Sequence, residues 1–183
     1  MVHGVGINDL ELESTSPVST IWRHMLQRCY SKAYHKQEPT YIHCEVCDEW
    51  KTLSVFKQWF DENYVEGYEL DKDLLVKGNK LYSPSTCCFI PKFINRAIKT
   101  HKRNNHGLPI GVTKREHSYA IHGTFGNQRL WQNGFSTPEE AFYAYKERKE
   151  QYVKVLAEKY FKEGRITERV YRALLDYRVE ITD

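Results

Sequence analysis

The stretch from position 108 to 160 constrains the fold more than any other part of the chain. Three short segments, 109–114, 119–125 and 129–135, alternate in the manner of strands, and Arg115-Glu-His-Ser118 and Gly126-Asn-Gln128 between them are good turn sequences. Thr137-Pro138-Glu139-Glu140 follows directly. A capping threonine, a proline at the first helical position and two acids near the positive end of the dipole open a helix there. Ala141, Phe142, Tyr145, Tyr152, Val155, Leu156 and Tyr160 give that helix an apolar side. Three strands of this length cannot bury both faces, so one face must lie on the helix and the other stays open. The open face is where function is expected.

Strand parity sorts the side chains between those faces. Thr113 and Arg115 share one face and Val112 and Lys114 the other, while Arg129 falls with Trp131. An open sheet with Arg and Trp side by side suits the major groove of DNA, where Arg pairs bidentately with guanine and Trp packs on sugar or phosphate. The approach to the sheet is basic: Lys92, Arg96, Lys99, Lys102, Arg103, Lys114 and Arg115 occur with no Asp or Glu among them. The formal net charge of +3 names no partner, but this block can neutralise phosphates and makes binding salt-dependent. Two plainer readings compete: a solvated basic linker, and a sheet-on-helix scaffold for protein with Trp131 in its core.

Gly111-Val112, Tyr119-Ala120, Arg129-Leu-Trp131, Gly134-Phe135, Thr137-Pro-Glu-Glu-Ala141 and Ala144-Tyr145 resemble, in order and spacing, the Apetala/ethylene-response-factor (ERF) DNA-binding domain in its shortened phage and mobile-element form. The resemblance implies a sheet lying in the major groove, with Thr113, Arg115, Arg129 and Trp131 at DNA-contacting positions and His122 as a further candidate. Lys99, Lys102 and Arg103 join them as contacts of the basic approach. Ile110 stands where the family has a basic residue, His117 where it has a tryptophan, and Gly134 directly abuts Phe135.

The first hundred residues are organised differently. Residues 1–16 lack apolar pattern and are expected to be flexible. Ser16-Pro17 then opens a helix with Ile21, Trp22, Met25, Leu26 and Cys29 in one stripe. Residues 30–40 are expected to be a polar connection, 41–50 a short strand or knuckle, and 52–63 a helix with Leu53, Phe56, Trp59 and Phe60 on one side. A brief strand at 68–71, a turn at 76–80, a second strand at 88–90 and a helix carrying Phe93, Ile94, Ala97 and Ile98 complete this half.

The segment from Leu70 to Asn95 is similar to the HNH endonuclease motif, a hairpin followed by a helix. The resemblance implies a divalent metal site at Asp71 and Asn95, with Mg2+ as the ion and a histidine base that activates water. Lys72 stands at the histidine position. Asp71, Lys72, Asp73 and Asn95 are therefore the catalytic candidates, with Asp73 or His43 as substitute groups. The competing reading of Asp71-Lys72-Asp73 is a solvated strand end with ion pairing. Cys44 and Cys47 have zinc-knuckle spacing and could join Cys87 or Cys88 around a structural Zn2+; buried free thiols are the alternative.

The expected fold class is α+β: N-terminal helices around a small ββα hairpin-helix, then a three-stranded antiparallel sheet packed on one long helix, then a short C-terminal helix. The expected divisions are 1–16, an HNH-like domain at 17–100, an ERF-like domain at 108–162 and a terminal helix within 163–183. The expected function is duplex-DNA binding of the phage HNH homing-endonuclease type with weak or lost cleavage. The alternatives are an active Mg2+-dependent nuclease and a phage accessory protein that inhibits a host defence by protein contact. No run of 18 apolar residues and no signal-like N-terminus occur, and the cysteine count of 5 is odd, so a cytoplasmic, membrane-free protein is expected, monomeric or homodimeric.

Overall fold

A computed structural model describes residues 1–99 and 107–183. The fold is α+β, and the chain divides into two compact units, Met1–Ile90 and Pro91–Asp183. Among the described residues no helix is long and apolar enough to cross a membrane.

The first unit is built on helix α1 (Pro17–Tyr30). Its Ser16 cap accepts a hydrogen bond from the Ser19 N–H, and Trp22, Met25, Leu26 and Cys29 form its buried stripe. The same core takes Leu53, Phe56 and Phe60 from α3 (Leu53–Asn63), together with Trp50 from the 3-10 turn Glu49–Lys51. The buried Trp22 indole satisfies its one donor by bonding the Trp50 carbonyl at 2.7 Å.

Two features here depart from expectation. Residues 1–16 are tied down: Ile7 bridges to Thr52, Asp9 accepts from the Ser54 N–H at 2.9 Å, and Val2, Val5, Leu10 and Leu12 pack on the core. A side chain at Gly6 would collide with Leu26, which is why the segment approaches α1 so closely. The connection after α1 holds a helix, α2 (Lys32–Gln37), capped by Ser31. It buries no residue, so apolar periodicity could not reveal it.

Two small sheets follow. Strand β1 (Glu45–Val46) pairs in parallel with β3 (Leu81–Tyr82), and β2 (Tyr68–Asp71) pairs with β4 (Cys88–Pro91). Helix α4 (Lys92–Ile98) comes next and groups with the second unit rather than the first. One tie within that unit is the Tyr177 hydroxyl, which donates to the Ile98 carbonyl at 3.1 Å.

In the second unit β5 (Val112–Lys114), β6 (Tyr119–Phe125) and β7 (Gln128–Phe135) form an antiparallel sheet in that order, backed by α5 (Pro138–Lys162). The helix opens with reciprocal caps: Thr137 accepts from the Glu140 N–H at 3.1 Å, and the Glu140 carboxylate accepts from the Ser136 N–H at 2.8 Å. Val112, Ile121 and Phe135 from the sheet meet Ala141, Phe142 and Tyr145 from the helix. Val179, beyond α6 (Glu168–Leu175), completes this core.

Three local outcomes refine the expected pattern. β5 starts three residues later than the alternation suggests, because Gly111 lies at φ +75° against the Tyr145 ring and any side chain there would strike it. Val155, expected inward, is 53% exposed, and Val153 is buried in its place. Lys149 occupies the same buried stripe, between Tyr145 and Val153.

Candidate nucleic-acid interface

Register decides which side chains share the open face. Val112 pairs with Ile121 and Ile121 with Gln132, so these three lie on the helix side. Thr113 pairs with Ala120, His122 with Trp131 and Thr124 with Arg129, and these pairs lie on the opposite side. The parity is checked independently by Gln132, whose side-chain carbonyl accepts from Arg148 of α5 at 3.4 Å.

Trp131 is 49% exposed and is not a core residue. The Arg115 guanidinium lies 4.5 Å from its ring centroid, and the His122 ring stacks with it at 6.4 Å with an interplanar angle of 26°. The planar groups of Arg115, Trp131 and His122 thus form a packed row across neighbouring strands. Arg115 is held at the strand end because its N–H bonds the Ser118 carbonyl at 2.8 Å, closing the turn. Arg129 is exposed two residues before Trp131. Thr113, Arg115, His122, Arg129 and Trp131 are therefore brought to one face. Lys99 is exposed at the end of α4, and Lys102 and Arg103 lie outside the described residues.

The turn to Phe135 has its own mechanism. Between the Ala120–Asn133 and Tyr119–Phe135 pairs the register shifts by one residue, and Gly134, at φ +94°, is the extra one. This bulge reverses parity, so Asn133 stays on the open face while Phe135 enters the core. The abutting Gly134-Phe135 is thus a structural device.

The HNH-like candidates have different surroundings. Lys72 is 6% exposed; its ammonium donates to both Asp73 carboxylate oxygens at 2.7 and 2.8 Å and to the Asn79 carbonyl at 2.9 Å. The Asn79 amide returns a bond to the Lys72 carbonyl at 2.9 Å. Lys72 and Asp73 therefore pin the turn between β2 and β3. Asp71 accepts from the Leu74 and Asp73 N–H groups at 2.7 and 2.9 Å. Burial raises its pKa, against the lowering effect of those N–H groups. Asn95 is buried in the second unit, and His43 is exposed.

Nor do the cysteines assemble a ligand set. Cys44 and Cys87 are buried, Cys47 and Cys88 partly so, and all are free thiols. Burial raises the Cys44 and Cys47 thiols and pushes Cys87 up to about 12. Among the described residues no group of three or more His, Cys, Asp or Glu side chains is placed to hold a metal. The open sheet face is thus the best-organised candidate site. Compared with models of known protein families, with curated proteins and with solved structures, the chain matches none.

Proposed function

We propose that this chain binds duplex DNA through the open face of β5–β6–β7, with Arg115 and Arg129 reaching base edges and Trp131 packing on the backbone. The observation that carries this reading is the exposed Arg115–Trp131–His122 row on the face turned away from α5. A half-exposed tryptophan with a guanidinium on its ring lies outside the core between sheet and helix, and nucleic acid offers it both a stacking surface and acceptors. Charge supports the same face. The first unit carries 9 Lys and Arg against 13 Asp and Glu, net −4, and the second 18 against 11, net +7.

The Lys72–Asp73 pair favours binding with weak or lost cleavage over Mg2+-dependent hydrolysis, since Lys72, at the histidine position, and Asp73, one of its two substitutes, are bound to each other. Gel shifts with Arg129→Ala and Trp131→Ala test the interface. Each should lose about 1–3 kcal/mol of binding free energy, the worth of one good base contact, with unchanged thermal stability. Unaltered affinity in both variants would remove the sheet from the interface and turn attention to a protein partner. Incubation with supercoiled plasmid and Mg2+, beside Asp71→Ala, tests the second clause: nicking lost in the variant would restore the enzyme.

A further inference from the structure

The first unit contains a cation that neither the sheet nor the HNH-like segment uses. Arg28, in the last turn of α1, is half-buried and is surrounded by Tyr82, Tyr41 and Tyr34. Its guanidinium carbon stands 5.8 Å from the Tyr41 ring centroid, and the Tyr34 and Tyr41 rings meet edge-on with centroids 5.8 Å apart. Among the described residues no carboxylate lies within ion-pair distance of Arg28. The Tyr34 and Tyr41 hydroxyls likewise make no hydrogen bond to a described residue.

A guanidinium cannot give up its charge, and buried charges are ordinarily paired. The negative end of the α1 dipole compensates Arg28 only weakly. The Tyr82 hydroxyl shares a hydrogen bond with Arg28, which leaves the rest of the guanidinium fork and the phenolic O–H groups of Tyr34 and Tyr41 as a cluster of donors with no acidic partner. Asp73, the acid that acts on Tyr41, is neutralised by Lys72. The surroundings are basic although the unit is acidic: residues 17–44 hold Arg23, Arg28, Lys32 and Lys36 against Glu38 alone.

We propose that Arg28, with Tyr34 and Tyr41, forms a receptor for a phosphate group, carried by a nucleic-acid backbone or by a free phosphate ester. The fork of Arg28 takes two phosphate oxygens, and the phenols supply further donors around the same group. The site does not depend on DNA binding by the sheet.

The test follows the arginine Nε–H and tyrosine ring signals of the 15N-labelled full chain by NMR. Inorganic phosphate, thymidine 5′-monophosphate and a short mixed-sequence duplex are titrated at constant ionic strength. Saturable shifts at Arg28 and Tyr41 are expected with at least one probe, and chloride should give none. Free phosphate or the nucleotide acting alone identifies a small ester as the ligand, while response only to the duplex identifies the backbone. Arg28→Lys, which keeps the charge but loses the fork, should weaken binding about tenfold or more. Tyr41→Phe should weaken it less while preserving the fold. If none of the three probes shifts Arg28, or chloride shifts it equally, the assignment is overturned, whatever the sheet does with DNA.

Discussion

Lys149 is the residue whose chemistry conflicts most with its place. It is 7% exposed on the buried stripe of α5, with its ammonium 5.6 Å from the Phe125 ring centroid and no ion pair among the described residues. Burial lowers its pKa from the ordinary 10.5 to about 8. In the unfolded chain the amine keeps its ordinary pKa, so between pH 8 and 10.5 the unfolded state binds more protons, and stability rises with pH across that window. Below pH 8 both states are protonated, and the cost of burying the charge, on the order of 3 kcal/mol, is present in full. Lys149→Met should therefore stabilise the protein by about 1–3 kcal/mol at pH 7 in urea denaturation. That gain should shrink steadily as the pH is raised from 8 to 10. A gain independent of pH would show that packing, rather than the buried charge, is responsible. Position 149 also marks a limit of sequence patterning, because the apolar stripe runs through it and a lysine there breaks the periodicity that would otherwise reveal the buried face.

At the scale of elements, the bulge in β7 links sequence, core and site. With Gly134 present, Trp131 and Asn133 face outward while Phe135 is buried. Deleting Gly134 removes the extra residue and leaves Phe135 next after Asn133 in simple alternation, still on the helix side, so it should cost well under the about 3–5 kcal/mol of losing a core phenylalanine. Gly134→Ala keeps the residue count and adds the strain of φ +94°, with nothing within 4 Å of the added carbon, so about 1–2 kcal/mol is expected. A deletion that costs as much as an expelled core phenylalanine, measured by denaturant unfolding, would argue against a bulge that sets parity. The same elements show what the sequence could reveal. Strand β6 was legible to the residue and α5 from its caps, because alternation and capping chemistry are local. The start of β5 just after Gly111 was hidden, since it depends on the Tyr145 ring arriving from α5. Helix α2 was hidden because it buries nothing. Parity put Thr113 with Arg115 and Arg129 with Trp131, and the strand register joins the two pairs on one face; the Lys72–Asp73–Asn79 pin and the Arg28 cluster could not be read, since each joins residues whose proximity no spacing announces.

Across the whole molecule, charge is divided unevenly between the two units. A net −4 first unit and a net +7 second unit mean that a polyanion meets attraction chiefly from the second, where Lys92, Arg96 and Lys99 of α4 and its end are exposed. Cations on such an approach neutralise phosphates and release counterions, with no regard to base sequence. In the proposed binding mode Arg129 and Trp131, fixed on the pleated face, are instead the groups that would discriminate. Lys99→Gln should therefore weaken binding to all duplexes alike and reduce the slope of log K against log salt concentration by about 1. Arg129→Ala should change the ranking among duplexes while leaving that slope nearly unaltered. Both slopes can be measured by fluorescence anisotropy over a salt series with two or more duplex sequences. If Lys99→Gln altered the ranking and Arg129→Ala altered only the slope, the roles of α4 and the sheet would have to be exchanged, with the helix reading the groove and the strands holding the backbone.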